Sequence, residues 1–543
     1  MKTRIERFNV SLVLVAALGA PGAAAAHGDI HKVSHVVVVM QENHSFDNYF
    51  GALPYVAGGP YHPGPCDPRD HACVDGLSCE REDGEDADGE REDGALRCRN
   101  SNRDDDGSRV RSFHLQTYCP GPDLSHDWPG SHQEANFLSP MLTRLASPMN
   151  GFVLVNDEVT PLEPPLVPDG GGQHPPDAGA ETATDDATMG YYDETDLPFY
   201  YALAQTFAID DRYFSSLMGP TFPNRAYALA ATSFGHLTTA EILPPFPPAV
   251  PPPGGYRPIT GTIMELLDRA GVSWVNYFVD VPTTAIFRGA ADLLDPTHTH
   301  AQPITAFFAA AGAPTCPLPA VSFVDPAFGN DALGTNPSLF ENDEHPPSDI
   351  RARQLYVSQV VQAVRANPAC WKDTVMFVTY DEHGGFYDHV SPPRAHQGAR
   401  TPDGNAPGQC ADASAPPASE RRGGGVQCDV SRADAASICP GFTPSGPYPW
   451  FCPSFDQLGI RVPFIAVSPF ARPHHVSHVV ADHTSMLAFI EARFLGGAHL
   501  TRRDASASTL EDLFDFDGAP SIGAPVPAAL PPSPGGGCPF VRK

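Results

Sequence analysis

Apolar and polar positions along this chain follow two rhythms. Short β-branched runs recur at 33–40 (VSHVVVVM), 272–278 (VSWVNYF), 319–325 (PAVSFVD), 373–380 (DTVMFVTY) and 462–469 (VPFIAVSP), and each predicts a strand. Between them, 197–208 (LPFYYALAQTFA), 223–234 (PNRAYALAATSF), 352–368 (ARQLYVSQVVQAVRANP) and 483–495 (HTSMLAFIEARFL) carry helical spacing. Strands alternating with helices over this length predict an α/β fold, with a largely parallel sheet covered on both faces. Ligands of such sheets bind in the loops at the carboxyl ends of the strands.

Three segments break the rhythm. Residues 60–112 are acidic, Gly-punctuated and almost free of aliphatic side chains, so they cannot fold alone. A disulfide-tethered solvated loop is the favoured reading; the Asp/Gly runs could hold Ca²⁺, but none has EF-hand spacing. Residues 396–450, rich in Pro, Gly, Ser and Cys, form a second excursion, and 516–543 is a Pro/Ala/Gly-rich tail. The remainder, 27–515, is expected to be one catalytic domain, which is within reach of a decorated α/β enzyme although the chain has 543 residues.

Charge and cysteines narrow the setting. The net charge of −30 disfavours nucleic acid, which needs clustered Lys and Arg, and leaves at most transient contact with a membrane surface. Lys2, Arg4 and Arg7, an apolar run to Leu18 and small residues to Ala26 make a signal peptide over 1–26, so export to the periplasm or medium is expected. In that oxidising setting the 12 cysteines read as disulfides, in a connectivity that spacing does not give. No paired CxxC units suggest structural zinc.

Two predicted strands end in knots of polar side chains. The first delivers Glu42 and Asn43 (VVVVMQENHSFDNYFG), the second Asp381 and Glu382 (TVMFVTYDEHGGFYDHV). Carboxylates gathered at one sheet edge repel unless a divalent metal makes them a coordination shell. Gly384 and Gly385 then allow a sharp turn or a close backbone approach. In GPTFPNRAYALA, Thr221 precedes Pro223 at the start of a helix; it is either a plain N-cap or a nucleophile set where phosphate oxygens meet helix N–H groups. Arg225 either orients phosphate or pairs with a carboxylate.

ENHSFDNYFG, GPTFPNR, DEHGGFYDHV and DHTSMLAFIEARF, in this order, resemble the bacterial phosphoesterase family of non-specific phospholipases C and AcpA-type acid phosphatases. That resemblance implies a three-layer α/β/α sandwich of the alkaline-phosphatase-like superfamily. It places Glu42, Asn43, Asp381 and Glu382 at one divalent metal ion (Ca²⁺, Mg²⁺, Mn²⁺ or Zn²⁺) and Thr221 as nucleophile, with Asn43 and Arg225 at the substrate. It also expects histidines around the phosphoryl group: His126, His345, and a third between Trp274 and Leu318, for which His300 fits better than His298. His383, His389 and His483 read as structural. The expected activity is phospholipase C action on phosphatidylcholine-type lipids through a phospho-threonine; the alternative is an acid phosphatase acting on phosphomonoesters. A non-catalytic calcium-binding surface protein is the remote alternative, since no motif position is degraded.

Overall fold

The run at 35–41 becomes β1 (His35–Gln41), inside an eight-stranded sheet whose other members are β2 (Ala208–Asp210), β3 (Trp274–Phe278), β4 (Ala301–Pro303), β5 (Val321–Asp325), β6 (Thr374–Tyr380), β7 (Phe464–Val467) and β8 (His475–Ser477). Their order is β4-β3-β5-β1-β6-β7-β2-β8. Every pairing is parallel except those of β7, which runs against both β6 and β2. The computed structural model describes residues 29–81, 96–136, 147–157, 185–239, 255–288, 299–328, 341–395, 405–410 and 426–523. The expected signal peptide, most of the acidic run, His298 and the end of the tail lie outside these residues.

All five predicted strands enter this sheet, and β1, β5, β6 and β7 are buried almost throughout, as strands covered on both faces must be. The four predicted helices also form: α1 (Pro198–Ala204), α2 (Thr221–Ala230), α4 (Ile350–Arg365) and α5 (His483–Phe494), with α3 (Ile304–Gly312) added between α2 and α4. Side chains alternate along β1. Val38 and Met40 line one cavity with Leu229 of α2 and Met486 and Ile490 of α5 on one face. On the opposite face α4 packs with α1 and α3, which completes the three-layer sandwich.

The short strands β2, β4 and β8 carry no sequence rhythm because three residues cannot display one. Pro303 fits β4 because that strand lies at a sheet edge.

The first excursion is held by Cys66–Cys73 and Cys79–Cys98, the second by Cys410–Cys428 and Cys439–Cys452, and Cys316–Cys370 joins the core. Cys119 is disulfide-bonded as well. The first excursion is more ordered than a solvated loop: Cys79–Arg81 pairs with Leu96–Cys98, and Ser101–Arg103 with Arg109–Arg111. Cross-strand bridging supplies the order that its few aliphatic side chains could not.

Candidate active site

β1 and β6 run in register, with Gln41 opposite Tyr380, so the segments that leave them start side by side. The Asp381 amide donates to the Gln41 carbonyl at 3.0 Å, and the Glu382 amide to Asp381 Oδ1 at 2.7 Å. Asn43 sits at φ 65 and Gly384 at φ 63, which folds the two loops against each other. A Cβ on Gly384 would stand 2.2 Å from the Asn43 carbonyl oxygen, so this glycine is required by the close approach. Glu42, Asn43, Asp381 and Glu382 are thereby brought to one buried place.

Three oxygens of this cluster have no donor to satisfy them. Glu42 Oε1, Asn43 Oδ1 and Glu382 Oε1 are buried with no hydrogen-bond donor, although Glu42 Oε1 has an Arg225 nitrogen at 3.3 Å. Burial and the adjacent Asp381 push the Glu42 carboxyl well above its usual range. Burial also lifts Asp381 to about 6, against the pull of Arg225. Burial opposes the Glu382 carboxylate too, but His126 and His383 outweigh it and hold its pKa below normal. Hard oxygen donors in this state fit a divalent ion.

Thr221 is the first residue of α2, and Pro220 takes the N-cap position without a side-chain cap. The N-cap reading of Thr221 is therefore corrected: its hydroxyl is not spent on the helix end. Arg225 lies one turn on, on the same face. Its Nε donates to Asp381 Oδ2 at 3.0 Å, and Nη2 donates to the Met40 and Gln41 carbonyls at 3.2 and 3.3 Å. The open alternative for Arg225 thus resolves toward carboxylate pairing, because α2 aims it into the sheet edge.

His126 and His345 come together beside Asp123, with ring centroids 5.9 Å apart and Asp123 Oδ1 at 3.7 and 3.9 Å. Their Nδ1 atoms donate to the Leu124 and Pro346 carbonyls at 2.7 and 2.6 Å, which frees each Nε2 for other partners. Burial disfavours the His345 cation, but Asp123 and Asp343 reverse this and raise its pKa. His300 is not brought there. It precedes Ala301, which pairs with Asn276, and its ring stacks on Trp274 at 4.2 Å. Trp274 opens β3, so His300 lies toward the amino ends of the strands, opposite the edge that carries Glu42. Distance from the Phe307–Phe308 pair along the chain could not reveal that reversal.

The three histidines read as structural all bond within the framework. His483 Nε2 donates to the Asp381 carbonyl at 2.7 Å. His383 bridges Glu134 at 2.7 Å and Glu382 at 3.4 Å, and His389 joins Asp47 and Asp75. Sequence reasoning missed Glu344, the residue before His345, whose buried carboxylate collects Tyr49, Tyr200 and Tyr380 hydroxyls. It also missed the buried Arg461, which ties Asp47 of the first motif to Asp388 of the second at 3.0 and 2.9 Å. These contacts span from 36 residues (Glu344 to Tyr380) to 414 (Arg461 to Asp47), and nothing local marks them.

Comparisons with known proteins place nearly the whole chain. The Phosphoesterase family profile matches residues 33–495. Non-specific phospholipase C6 of Arabidopsis thaliana is 31% identical over 61% of this chain and 54% of its own, so the match spans about half of that plant relative. Phospholipase C B of Mycobacterium tuberculosis is 28% identical over 93% of this chain and 82% of its own. Human ectonucleotide pyrophosphatase/phosphodiesterase 5 is a weak structural likeness, with a TM-score of 0.30 at 11% identity over 59% of this chain and 94% of that one. The chain belongs to the Phosphoesterase family, a family of phosphoric ester hydrolases.

Proposed function

We propose that this protein is an exported phospholipase C that cleaves phosphatidylcholine-type lipids between glycerol and phosphate. The single observation that carries the reading is the set of buried oxygens of Glu42, Asn43 and Glu382 without a hydrogen-bond donor, beside Arg225, one turn after Thr221 in α2. The phospholipase C relatives favour a lipid substrate over a phosphomonoester. A divalent ion held by Glu42, Asn43, Asp381 and Glu382 would favour ionisation of a nearby hydroxyl and offset charge on the phosphoryl oxygens. Thr221 Oγ, its proton released to solvent, attacks phosphorus in line; its bond to phosphorus forms as the bond to the glycerol oxygen breaks. His345, whose pKa Asp123 and Asp343 raise against burial, or else His126, protonates that oxygen, and diacylglycerol leaves. Water then attacks phosphorus, the bond to Thr221 breaks, and phosphocholine departs while the threonine regains its proton. Arg225 keeps the buried carboxylates from repelling one another.

Export is supported by the disulfides, and among the described residues no helix is long and apolar enough to cross a membrane. The test is product analysis on phosphatidylcholine and p-nitrophenyl phosphate, with Thr221→Ala as blank. Phosphocholine and diacylglycerol, absent in the variant, are expected. Inorganic phosphate from the monoester with untouched lipid would make the protein a phosphatase, and a fully active variant would remove Thr221 as nucleophile.

A further inference from the structure

At the far edge of the sheet two imidazoles and a carboxylate converge. His475 opens β8, four strand spacings from β1, or about 19 Å at ~4.8 Å per spacing. His71 arrives on the loop closed by Cys66–Cys73, and Asp512 on the turn Glu511–Leu513. One nitrogen of each histidine and one oxygen of Asp512 all lie within 4.8 Å of one another.

The chemistry of each donor is that of a ligand. His71 Nδ1 contacts the Val476 carbonyl at 2.8 Å, and a carbonyl can only accept, so Nδ1 carries the proton and Nε2 keeps its lone pair. Metal-binding histidines are oriented in this way by a backbone carbonyl on the other nitrogen. His475 Nε2 stands 3.3 Å from Asp512 Oδ2. A charge-assisted N–H···O bond would be shorter, about 2.7–2.9 Å. Zinc bonds of about 2.0–2.2 Å put tetrahedral neighbours about 3.3–3.5 Å apart. The observed separation, that of a long hydrogen bond, also matches the spacing of two ligands of one ion. The His71 and His475 rings stack at 4.1 Å and 23°, so their edges can address one point. A third imidazole, His478, is 6.1 Å from His71 but spends its nitrogens on Asp211 Oδ1 and the Asp70 carbonyl. Asp512 is 29% exposed, which leaves an entry path and room for a water as fourth ligand.

We propose that His71, His475 and Asp512 bind Zn²⁺, separately from the catalytic edge. Two imidazole nitrogens and one carboxylate oxygen select zinc over Ca²⁺ or Mg²⁺, which require more oxygens. The ion joins the disulfide-closed loop and the 511–513 turn to β8, where His71 already accepts the Val476 amide at 2.9 Å. It thereby pins the 66–73 loop on the last strand of the sheet, whose Val476 amide and carbonyl His71 already engages.

The test strips the purified protein with a chelator and titrates Zn²⁺ by calorimetry and metal analysis. His71→Gln and Asp512→Asn should each bind about one equivalent fewer than wild type and lose the zinc-dependent rise in Tm. Glu382→Gln should keep that rise, since it alters only the catalytic edge. Circular dichroism of the metal-free variants checks their folding. Independently of any variant, Zn²⁺ should slow acylation of His71 by diethyl pyrocarbonate at least tenfold, read by mass spectrometry. Equal stoichiometry and equal Tm rise in wild type, His71→Gln and Asp512→Asn, or unprotected His71 in zinc-loaded wild type, would overturn the proposal.

Discussion

Glu344 offers the sharpest test of how the site is held. Gln41 precedes Glu42, Tyr380 precedes Asp381, and Glu344 precedes His345, so its carboxylate gathers the segments that present three candidate site residues. The Tyr49 and Tyr380 hydroxyls donate to Oε2 at 2.5 and 2.7 Å, and the Tyr200 hydroxyl donates to Oε1. Gln41 Nε2 adds a long contact at 3.4 Å, its better bond being to the Asn342 carbonyl at 2.9 Å. Glu344→Ala leaves three buried hydroxyls without this acceptor. At about 1–3 kcal/mol for each unsatisfied group, with some relief as hydroxyls turn toward one another, the expected loss is about 4 kcal/mol. Glu344→Gln retains one oxygen but turns two N–H donors toward hydroxyls that also donate; the expected loss is about 1–2 kcal/mol. Urea unfolding followed by circular dichroism reads both losses as shifts of the midpoint at constant slope. Because His345 moves with Glu344, kcat should fall at least tenfold in the alanine variant and less in the glutamine variant. An alanine variant within about 1 kcal/mol of wild type, or one no less stable than the glutamine variant, would refute the reasoning.

Three further outcomes are expected. Glu42→Gln should lower retained divalent metal and phosphodiesterase activity together, and a variant that matches wild type in metal content would remove Glu42 from the ligand set. His300→Ala should leave kcat/KM within about twofold and cost about 1 kcal/mol of stability through the lost Trp274 stack; a hundredfold loss of activity would return His300 to the site. Burial works against the His389 cation, but Asp47 and then Asp75 push its pKa up to about 10, above the unfolded value of about 6.5. The folded state thus binds this proton more tightly, so its stabilisation is complete below about pH 6.5 and is lost as pH rises through about 10. His389→Gln should flatten the fall in unfolding free energy over that alkaline range, and an unchanged slope would count against the pairing.

The sequence by itself determined the sheet's interior. Strands such as β1 and β6 are buried on both faces, so their composition is nearly independent of what lies beyond their neighbours. The residues that directly follow these strands, Glu42, Asn43, Asp381 and Glu382, were legible for the same reason: a strand end fixes where the next side chains emerge. The early Thr221 helix start was legible to within two residues, because Pro223 marks a first turn. Tertiary structure decided the rest. Which end of β3 His300 would reach depends on strand pairing, in which Ala301 meets Asn276 rather than a residue nearer Phe278. Arg225 is assigned to carboxylates by the docking of α2 on the sheet, and Glu344 to three tyrosines by a strand and two helices that meet only after folding. Buried polar groups find partners wherever packing brings them, and these partners stand far apart in sequence, where no local periodicity registers them.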